Sequence, residues 1–598
     1  MKVLSLIFVA LLLSASGLFA QPTVTQVSNA ASFALTPLQN SSIAQGSYFA
    51  VFGSGLGPST GVYWNPYPLP TTLGGSSINV TIGSTTVAAF LEYSSAGQIN
   101  AVLPANTPTG TGTVTVTYNG QTSSSTVPAA AITVVTSSFG TFAYNAAGTG
   151  PGIVTDTNYV ELTPFHTAKP GDYVLLYGTG LGVVPGDATS TETDRPPVTN
   201  LCPGSQCPTV WVGSQQANIY YAGSATYTAE DEIIFQVPAG AQGCYVQVAV
   251  QTGSVISNFT SIAVDPNGAT CQDADGINYN DIASAVSTKG SANVMAVSLL
   301  SNYLTLDLGV LGSQPWDNDT ASGQVDTFSP YVLQAFEGFT LSPSVGYCTV
   351  LPFLQYPPPS DPAAGYATFI DDGTSITIKG PNGTANVGQD VPNGGSKAVG
   401  YGGTSGGDPI GGETIQELIS GCPPSSTNNC APFFLSTSDA ITAGTYNIST
   451  AGGSGAGAVT GSISVSSGAA AFKWTNSSIA SSNIPRNTPL TINWTGGDPS
   501  GFVNITLVSS TLLTGATPLA TTPGIFAECM APASAGTFTV PTVVLQSLPS
   551  TAASTALVPP GELLVGPASG ATKLSTTTGL DAAYAFYHFI QGSNVTWQ

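Results

Sequence analysis

One stretch of the sequence occurs twice. It reads AQGSYFAVFGSGLG at residues 44–57 and KPGDYVLLYGTGLG at residues 169–182. Each copy has a turn, a short apolar run with the length of a buried strand, and a glycine-rich turn. Because Pro58 and further prolines follow the first copy, no helix starts there, so the glycines predict a β-turn and not a phosphate-binding loop.

A second pair of motifs supports the repeat. The segment QINAVLPA at residues 98–105 returns as EIIFQVPA at residues 232–239. The first pair of motifs is offset by 125 positions and the second by 134, so the second copy carries nine additional residues between them. The sequence therefore predicts two related β-sandwiches, at residues 21–135 and 136–266.

The composition favours an all-β, multidomain chain. A length of 598 residues suggests about four domains. Charged residues make up 7% of the chain, while a hydrophobic content of 42% argues against disorder. Frequent turns and short strands predict a string of β-sandwiches. The two remaining units are expected at residues 267–470, β-rich with long loops and a short helix near Asp281, and at residues 471–598, a C-terminal sandwich.

The charge balance excludes several classes of partner. Nine Lys and Arg stand against 31 Asp and Glu, which gives a formal net charge of -22. Nucleic acids and anionic membrane surfaces are therefore not expected as partners, since both attract clustered Lys and Arg. Of the two histidines, His166 and His588, both lie in segments that indicate a structural role.

The first 20 residues are typical of a signal peptide. Lys2 precedes an apolar run from Val3 to Leu13, and Ala20 ends the segment with a small residue. A transmembrane anchor is disfavoured because Ser and Gly residues end the run too early. No later stretch has the length to span a bilayer, so the mature chain is expected to be secreted, extracellular or on the outer cell surface.

Eight cysteines fit an oxidising compartment. Cys202 lies close to Cys207, and Cys422 close to Cys430, and short loops of this kind close readily into disulfides. Half of a zinc site is the alternative, but no histidine or second CxxC supports it. The longer pairings stay open. Cys244 and Cys271 bracket the end of one domain and could pair, which leaves Cys348 with Cys529 by elimination.

The motifs of the two copies, together with Asn29-Ala30-Ala31-Ser32-Phe33, carry a resemblance to a known family. They resemble the tandem Ig-like (TIG/IPT-type) domains of exported acidobacterial proteins of the Solibacter type. The resemblance covers residues 26–265, and residues beyond that range resemble modules of the same proteins more loosely. It implies extracellular Ig-like β-sandwiches and supplies no catalytic residues. The segment with Cys202 and Cys207 departs from the family pattern.

An aromatic loop is the candidate binding site. Tyr63, Trp64 and Tyr67 stand in a proline-rich segment, where flat rings on a rigid turn could stack on sugar rings. The alternative is that these rings fold back as a lid over the first core, because large aromatics are mostly buried. The ligand expected of such a loop is a polysaccharide or another cell-surface protein.

Two acidic segments are candidates for chemistry. Asp273, Asp275, Asn278 and Asp281 surround a glycine as the oxygen ligands of a calcium loop do, but the spacing is one residue short of that pattern. An Asx-rich linker is therefore the favoured interpretation, and no cofactor is expected, with calcium as the alternative. The cluster at residues 230–232, EDE, could hold calcium or supply a glycosidase acid, and a solvated strand entry is the simpler interpretation.

A serine-hydrolase pattern, GTSGG, occurs at residues 403–407. The pattern is meaningful only on a strand–turn–helix elbow with a triad histidine, and this one lies in a glycine-rich loop. The sequence therefore predicts no enzyme. Two classes of function remain: a non-enzymatic, structural or adhesive surface protein that presents ligand-binding loops, or a carbohydrate-binding or carboxylate-based carbohydrate-active protein.

Overall fold

The fold comes from a computed structural model and is all-β and multidomain. The structure describes the residues that follow: 21–64, 66–183, 199–307, 313–331, 343–353, 367–390, 400–401, 408–412, 441–466, 472–481, 483–510, 523–552 and 561–598. Residues 1–20, the predicted signal segment, lie outside them. No helix in these ranges has the length and apolar character needed to cross a membrane.

The first sandwich consists of two facing sheets, ordered β1-β3-β8-β7-β4 and β2-β11-β9-β5-β6, with β10 paired to β9. Alternating residues point into one core between the sheets, which includes Phe49, Val51, Ile78 and Val114. Its strands are β1 (Thr23–Asn29), β2 (Ile43–Ala44), β3 (Tyr48–Ser54), β4 (Val62–Tyr63), β5 (Ser76–Ile82), β6 (Thr85–Ala88), β7 (Phe90–Ser94), β8 (Gln98–Val102), β9 (Gly110–Tyr118), β10 (Gln121–Thr122) and β11 (Ala131–Val135).

The second sandwich repeats this plan. One sheet has the order β12-β14-β18-β17 with β13 on β14, and the other has the order β16-β15-β19-β20 with β21 on β19. The repeated sequence motifs form β3 and β14 in the two copies, and β8 and β18. The strands are β12 (Gly140–Thr141), β13 (Val154–Asp156), β14 (Tyr173–Thr179), β15 (Thr209–Val212), β16 (Gln215–Gln216), β17 (Asn218–Ser224), β18 (Asp231–Gln236), β19 (Gly243–Thr252), β20 (Val255–Ile256) and β21 (Thr260–Val264).

Residues 267–598, named here the C-terminal unit, begin with helix α1 (Asn280–Lys289), which ends at Gly290 in the left-handed conformation; helix α2 is Thr542–Ser547. The first strands are β22 (Ala292–Asp307), β23 (Ser313–Phe328), β24 (Cys348–Phe353), β25 (Ala367–Phe369), β26 (Ser375–Gly380), β27 (Gly383–Asp390), β28 (Gly400–Tyr401), β29 (Asp408–Gly412), β30 (Gly444–Thr450) and β31 (Val459–Val465). The later strands are β32 (Lys473–Trp474), β33 (Asn483–Ile484), β34 (Leu490–Thr495), β35 (Phe502–Ser510), β36 (Gly524–Pro532), β37 (Thr537–Val540), β38 (Gly561–Ala568), β39 (Thr572–Lys573), β40 (Ser575–Thr576), β41 (Ala582–Asn594) and β42 (Thr596–Trp597).

Strands from both predicted C-terminal domains share one large sheet. Among the described residues it has sixteen strands, and β41 lies between β38 and β22. The pairing of β22 with β41 is parallel and begins at Val294 and Ala582, and β24 pairs with β36. The structure therefore differs from the predicted division at residue 470. Local sequence patterns define strands, but they carry no information on a partner strand so distant in the chain.

Candidate functional site

The aromatic loop of the first sandwich, residues 62–64 and 66–69, faces solvent. The exposed fractions of Tyr63, Trp64 and Tyr67 are 57%, 40% and 37%. Leu69 is the loop's buried anchor and packs against Phe90. One apolar side chain of the loop therefore packs against the sandwich, while the three rings point outward. A lid over the core would have buried these rings.

Hydrogen bonds fix the exposed rings. The Trp64 backbone N–H donates to the Glu92 carbonyl oxygen over 2.8 Å, and the Tyr63 hydroxyl donates to Glu92 Oε1 over 2.9 Å. The Trp64 indole N–H donates to the Pro68 carbonyl over 3.3 Å. Two of the three rings are thus oriented by groups of the same sandwich, so the loop's surface is preorganised.

Glu92 stands at a β-bulge. The register of β7 against β8 shifts between Leu91 and Tyr93, which leaves Glu92 as the additional residue. Burial raises the pKa of the Glu92 carboxyl, while hydrogen bonds from Tyr63 and Tyr48 act in the opposite direction. Burial, together with the Glu92 hydrogen bond and charge, raises the pKa of Tyr63 to about 12. A carboxyl group therefore lies within hydrogen-bond distance of the hydroxyl of one exposed ring, Tyr63.

The second sandwich completes this surface. The Thr228 backbone N–H donates to the Tyr67 hydroxyl oxygen over 3.1 Å, and Ala229 packs into the apolar cluster that contains Leu69. The Tyr48 backbone N–H donates to Thr179 Oγ1 over 2.9 Å. The candidate site consequently lies at the junction of the two repeats.

Glu230 brings a second carboxyl group to the junction. Burial, followed by the charges of Glu232 and Glu92, raises the pKa of Glu230 to about 6, and a backbone hydrogen bond from Tyr227 lowers it. Burial also raises the pKa of Glu232. Tyr227 is exposed and its phenol group contributes to the raised pKa of Tyr63, so the surface combines aromatic rings with carboxyl groups from both sandwiches.

The three acidic residues at 230–232 have separate roles. Asp231 is buried, and its Oδ2 accepts hydrogen bonds from the backbone N–H groups of Gly180 and Leu181 over 2.7 and 2.8 Å. Asp231 therefore closes the second glycine-rich turn, which is a structural role. The prediction of a solvated strand entry is therefore wrong for Asp231, because its carboxylate is buried and accepts hydrogen bonds from two backbone amides.

Each of the four calcium candidates takes part in a hydrogen bond or an ion pair within the protein. Asp273 accepts from the Cys244 backbone N–H over 3.1 Å, and Asp275 Oδ1 accepts from the Ile277 N–H over 3.0 Å. Asn278 Oδ1 accepts from the Asn280 N–H, and Asp281 pairs with Lys573 and accepts from the Tyr584 hydroxyl. Within the described ranges, no three His, Cys, Asp or Glu side chains are grouped as metal ligands. Calcium binding by these residues stays a prediction.

Three disulfides are present in the described part of the chain, and they join Cys202 to Cys207, Cys244 to Cys271, and Cys348 to Cys529. These pairs agree with the sequence analysis, including the two long pairings that it left open. Cys422 and Cys430 lie outside the described residues, and their pairing stays a prediction. The GTSGG pattern at residues 403–407 also lies outside them.

Both histidines take part in packing or local hydrogen bonds. His166 Nε2 lies 3.2 Å from Asp156 Oδ2 at the surface. His588 is in β41, where burial lowers its pKa to about 4 and its Nδ1 lies 2.8 Å from the Asn504 amide nitrogen. His588 is therefore neutral at pH 7, held within the large sheet of the C-terminal unit.

Comparisons with known proteins identify one domain. Residues 34–130, which lie in the first sandwich, match the IPT/TIG domain family, so the chain contains an IPT/TIG domain. No curated protein matches the chain.

Solved structures show distant likeness only. The Bacteroides ovatus mixed-linkage glucan utilization protein SGBP-B, in complex with a mixed-linkage heptasaccharide, is 10% identical with a TM-score of 0.19, over 49% of this chain and 66% of that one. The S-layer protein SbsC, domains 5-6, is 10% identical with a TM-score of 0.15, over 41% and 98%. The plexin A4 extracellular region is 13% identical with a TM-score of 0.15, over 41% of this chain and 18% of that one.

The sequence analysis missed Glu92 and Tyr227 as parts of the candidate site. Glu92 occupies a β-bulge, and the alternation of apolar and polar residues does not predict where a bulge occurs. Tyr227 follows the aromatic loop by more than 150 residues and approaches it only because the two sandwiches dock. An alignment of the two repeats, extended to the strands between the repeated motifs, is the signal that could have located Glu92.

Proposed function

We propose that this chain is an exported, non-enzymatic surface protein whose β-sandwiches present a polysaccharide-binding site at the aromatic loop. The observation that carries the proposal is the fixed exposure of Tyr63, Trp64 and Tyr67. A loop already held in place loses little conformational freedom when a ligand binds. Exposed rings can stack on the apolar faces of sugars, and the Glu92 carboxylate can accept hydrogen bonds from their hydroxyl groups.

The surface location rests on separate support. Three disulfides fit an oxidising compartment, and the predicted signal segment at residues 1–20 would direct the chain there. The sparse positive charge argues for a neutral glycan, since anionic polysaccharides attract Lys and Arg clusters. An origin among exported acidobacterial proteins is part of the proposal and rests on the sequence motifs alone.

The test uses purified residues 21–598 and a panel of neutral and anionic polysaccharides in affinity electrophoresis. We expect retardation by at least one neutral polysaccharide, which the combined variant Tyr63→Ala, Trp64→Ala and Tyr67→Ala loses. Tyr303→Ala is the matched control, because Tyr303 is an exposed tyrosine of the C-terminal unit. The melting temperature of the triple variant should stay close to that of the parent, because the rings are partly in water already.

Two results would contradict the proposal. A large fall in melting temperature would show that the rings belong to the core, and unchanged retardation would exclude the loop as the binding site. Retention of the parent protein on cells, with no polysaccharide bound, would instead favour a protein partner at the cell surface.

One observation favours a second candidate function, glycoside hydrolysis. Glu92 and Glu230 interact at the junction, and the raised pKa of Glu230, about 6, suits a general acid. Reducing-sugar release on the same panel distinguishes the two functions. Binding without release supports the non-enzymatic proposal, whereas release that Glu230→Gln abolishes while binding persists would establish a carboxylate-based hydrolase.

A further inference from the structure

The two repeats can be aligned residue by residue through the strand register. In the first sandwich, Tyr48 of β3 pairs with Val102 of β8, which pairs with Phe90 of β7. This row of three is apolar apart from the tyrosine hydroxyl. Ala229 and Leu69 cluster with Phe90 and Val102, and Tyr48 packs against them. In the first copy, the row is therefore covered by the second sandwich.

The equivalent row of the second sandwich has the opposite character. Tyr173 of β14 pairs with Gln236 of β18, which pairs with Asn218 of β17. Two amides stand where the first copy has Val102 and Phe90. Asn218 is exposed, Gln236 is half-buried, and the exposed fraction of Tyr173 is 42%. The row is thus polar and open to solvent in the second copy.

Both copies have a β-bulge at the equivalent position, but the residue in the bulge differs. The register of β17 against β18 shifts between Ile219 and Tyr221, so Tyr220 is the additional residue where the first copy has Glu92. Tyr220 is 69% exposed. Its ring centroid lies 5.8 Å from that of Tyr173, with the two ring planes at 67°. The bulge therefore adds a second exposed ring beside the amide row.

We propose that Tyr173 and Tyr220, with the amides of Asn218 and Gln236, form a second binding surface for neutral polysaccharide on the second sandwich. Exposed rings supply stacking surfaces, and amide groups both donate and accept hydrogen bonds, as sugar hydroxyls require. One amide is already oriented, because Gln236 Nε2 donates to the Gly171 carbonyl over 3.0 Å. This surface stands independently of the aromatic loop at residues 62–69.

The composition of the row argues against a protein partner of the kind seen in the first copy. There the covered row is apolar, as expected where one sandwich docks on another. Asn218 and Gln236 replace that apolar surface with groups that lose hydrogen bonds to water on burial unless every bond is replaced. A hydroxyl-rich chain that keeps water at its edges replaces those bonds more readily than an apolar protein surface does.

Strands β14 and β18 run from the second surface to the junction of the two sandwiches. Glu232 pairs with Tyr177 on the same sheet as Tyr173, and the charges of Glu232 and Glu230 both raise the pKa of Tyr177. The same two strands pair from Tyr173 and Gln236 at the second surface to Gly178 and Asp231, next to Glu230 at the junction. A polysaccharide long enough to reach both surfaces should therefore bind more tightly than a short oligosaccharide.

The experiment measures binding of the full mature chain to a soluble neutral β-glucan and to oligosaccharides of two to eight units, by calorimetry and affinity electrophoresis. The variants are Tyr173→Ala with Tyr220→Ala, and Tyr220→Ala alone, which removes the more exposed of the two rings. We expect the double variant to weaken binding to the long glucan about tenfold. Tyr303→Ala should leave binding unchanged. Tyr173→Phe with Tyr220→Phe, which keeps both rings, should retain most of the affinity.

The outcomes separate the two proposals. Loss of binding in the Tyr173 and Tyr220 variants, with binding kept when residues 63, 64 and 67 are changed, would support the second surface and exclude the loop. Unchanged binding in the Tyr173 and Tyr220 double variant, or no binding of the parent to the β-glucan or to any other neutral polysaccharide of the panel, would overturn the second surface. So would self-association of the parent, measured by analytical ultracentrifugation, that the double variant abolishes, since that would make the face an interface between copies.

Discussion

The Glu230→Gln variant should make the first two sandwiches more stable at pH 8 and leave their stability unchanged at pH 4. Burial and the charges of Glu232 and Glu92 raise the folded-state pKa of Glu230 from 4.5 to about 6. The folded protein thus binds this proton more tightly than the unfolded chain does. The resulting loss of stability is absent below pH 4.5, grows as pH rises and is complete above about pH 6.

The magnitude follows from the pKa difference. A shift of about 1.5 pKa units corresponds to about 2 kcal/mol, since each unit is about 1.4 kcal/mol. Solvent reaches part of the Glu230 carboxyl group, so about 2 kcal/mol is an upper limit. For a cooperative unit of the size of the two sandwiches, this is a rise in melting temperature of up to about 4–8 °C at pH 8. Glutamine keeps a side-chain oxygen that can accept the hydrogen bond from Tyr227.

Thermal unfolding of the parent and the variant, followed by circular dichroism at half-unit intervals from pH 4 to pH 8, checks this expectation. The double variant Glu92→Gln with Glu230→Gln should gain less than the sum of the single variants, because each single change already removes the repulsion between the two carboxylates. Equal melting temperatures of parent and Glu230→Gln at pH 8 would refute the electrostatic account of the junction. A gain of the same size at pH 4 would refute it as well.

Two further changes test the C-terminal unit and the linker. The Cys348→Ala with Cys529→Ala variant opens a loop of 181 residues and should lower the free energy of unfolding by about 5 kcal/mol. Loss of the Cys202–Cys207 disulfide, which closes a loop of five residues, should lower it by about 2 kcal/mol. Denaturant titrations of the two variants measure the difference. Alkylation of the folded chain without reductant should label no cysteine, and a labelled disulfide cysteine would contradict the pairing. Burial raises the pKa of Asp275 to about 7. The Asp275→Asn variant should therefore have a higher melting temperature than the parent at pH 8 and the same one at pH 4. Added calcium should leave the melting temperature of the parent unchanged, and a calcium-dependent rise would support the metal hypothesis.

The sequence was sufficient for the parts of the fold that local patterns encode. The repeated turn–strand–turn motif located β3 and β14, and the second motif located β8 and β18, because buried strands leave an apolar run between turns. The nearby cysteines at 202 and 207 also indicated their own pairing. The partnership of β22 with β41 could not be predicted, since its strands are far apart in the chain and each would fit many partners.

The candidate site was predictable in the same partial way. Tyr63, Trp64 and Tyr67 could be singled out because flat rings in a proline-rich turn can stack on sugar rings. Their exposure could not be predicted, since composition favours burial of large rings. The contribution of Glu230 depends on how the second sandwich docks against the first, and docking is a property of surfaces that strand patterns do not describe.

The position of β41 within the large sheet has a consequence for the order in which the chain can fold. Synthesis proceeds from the N-terminus, so each of the first two sandwiches has all its strands before residue 267 and can close early. Strand β22 is made long before β41, its parallel partner, and until then one edge of β22 has unpaired backbone groups. Removal of residues 582–594 would therefore leave both β22 and β38 as open edges, and such a truncated chain should aggregate, while a fragment of residues 21–272, which keeps the Cys244–Cys271 disulfide, stays folded.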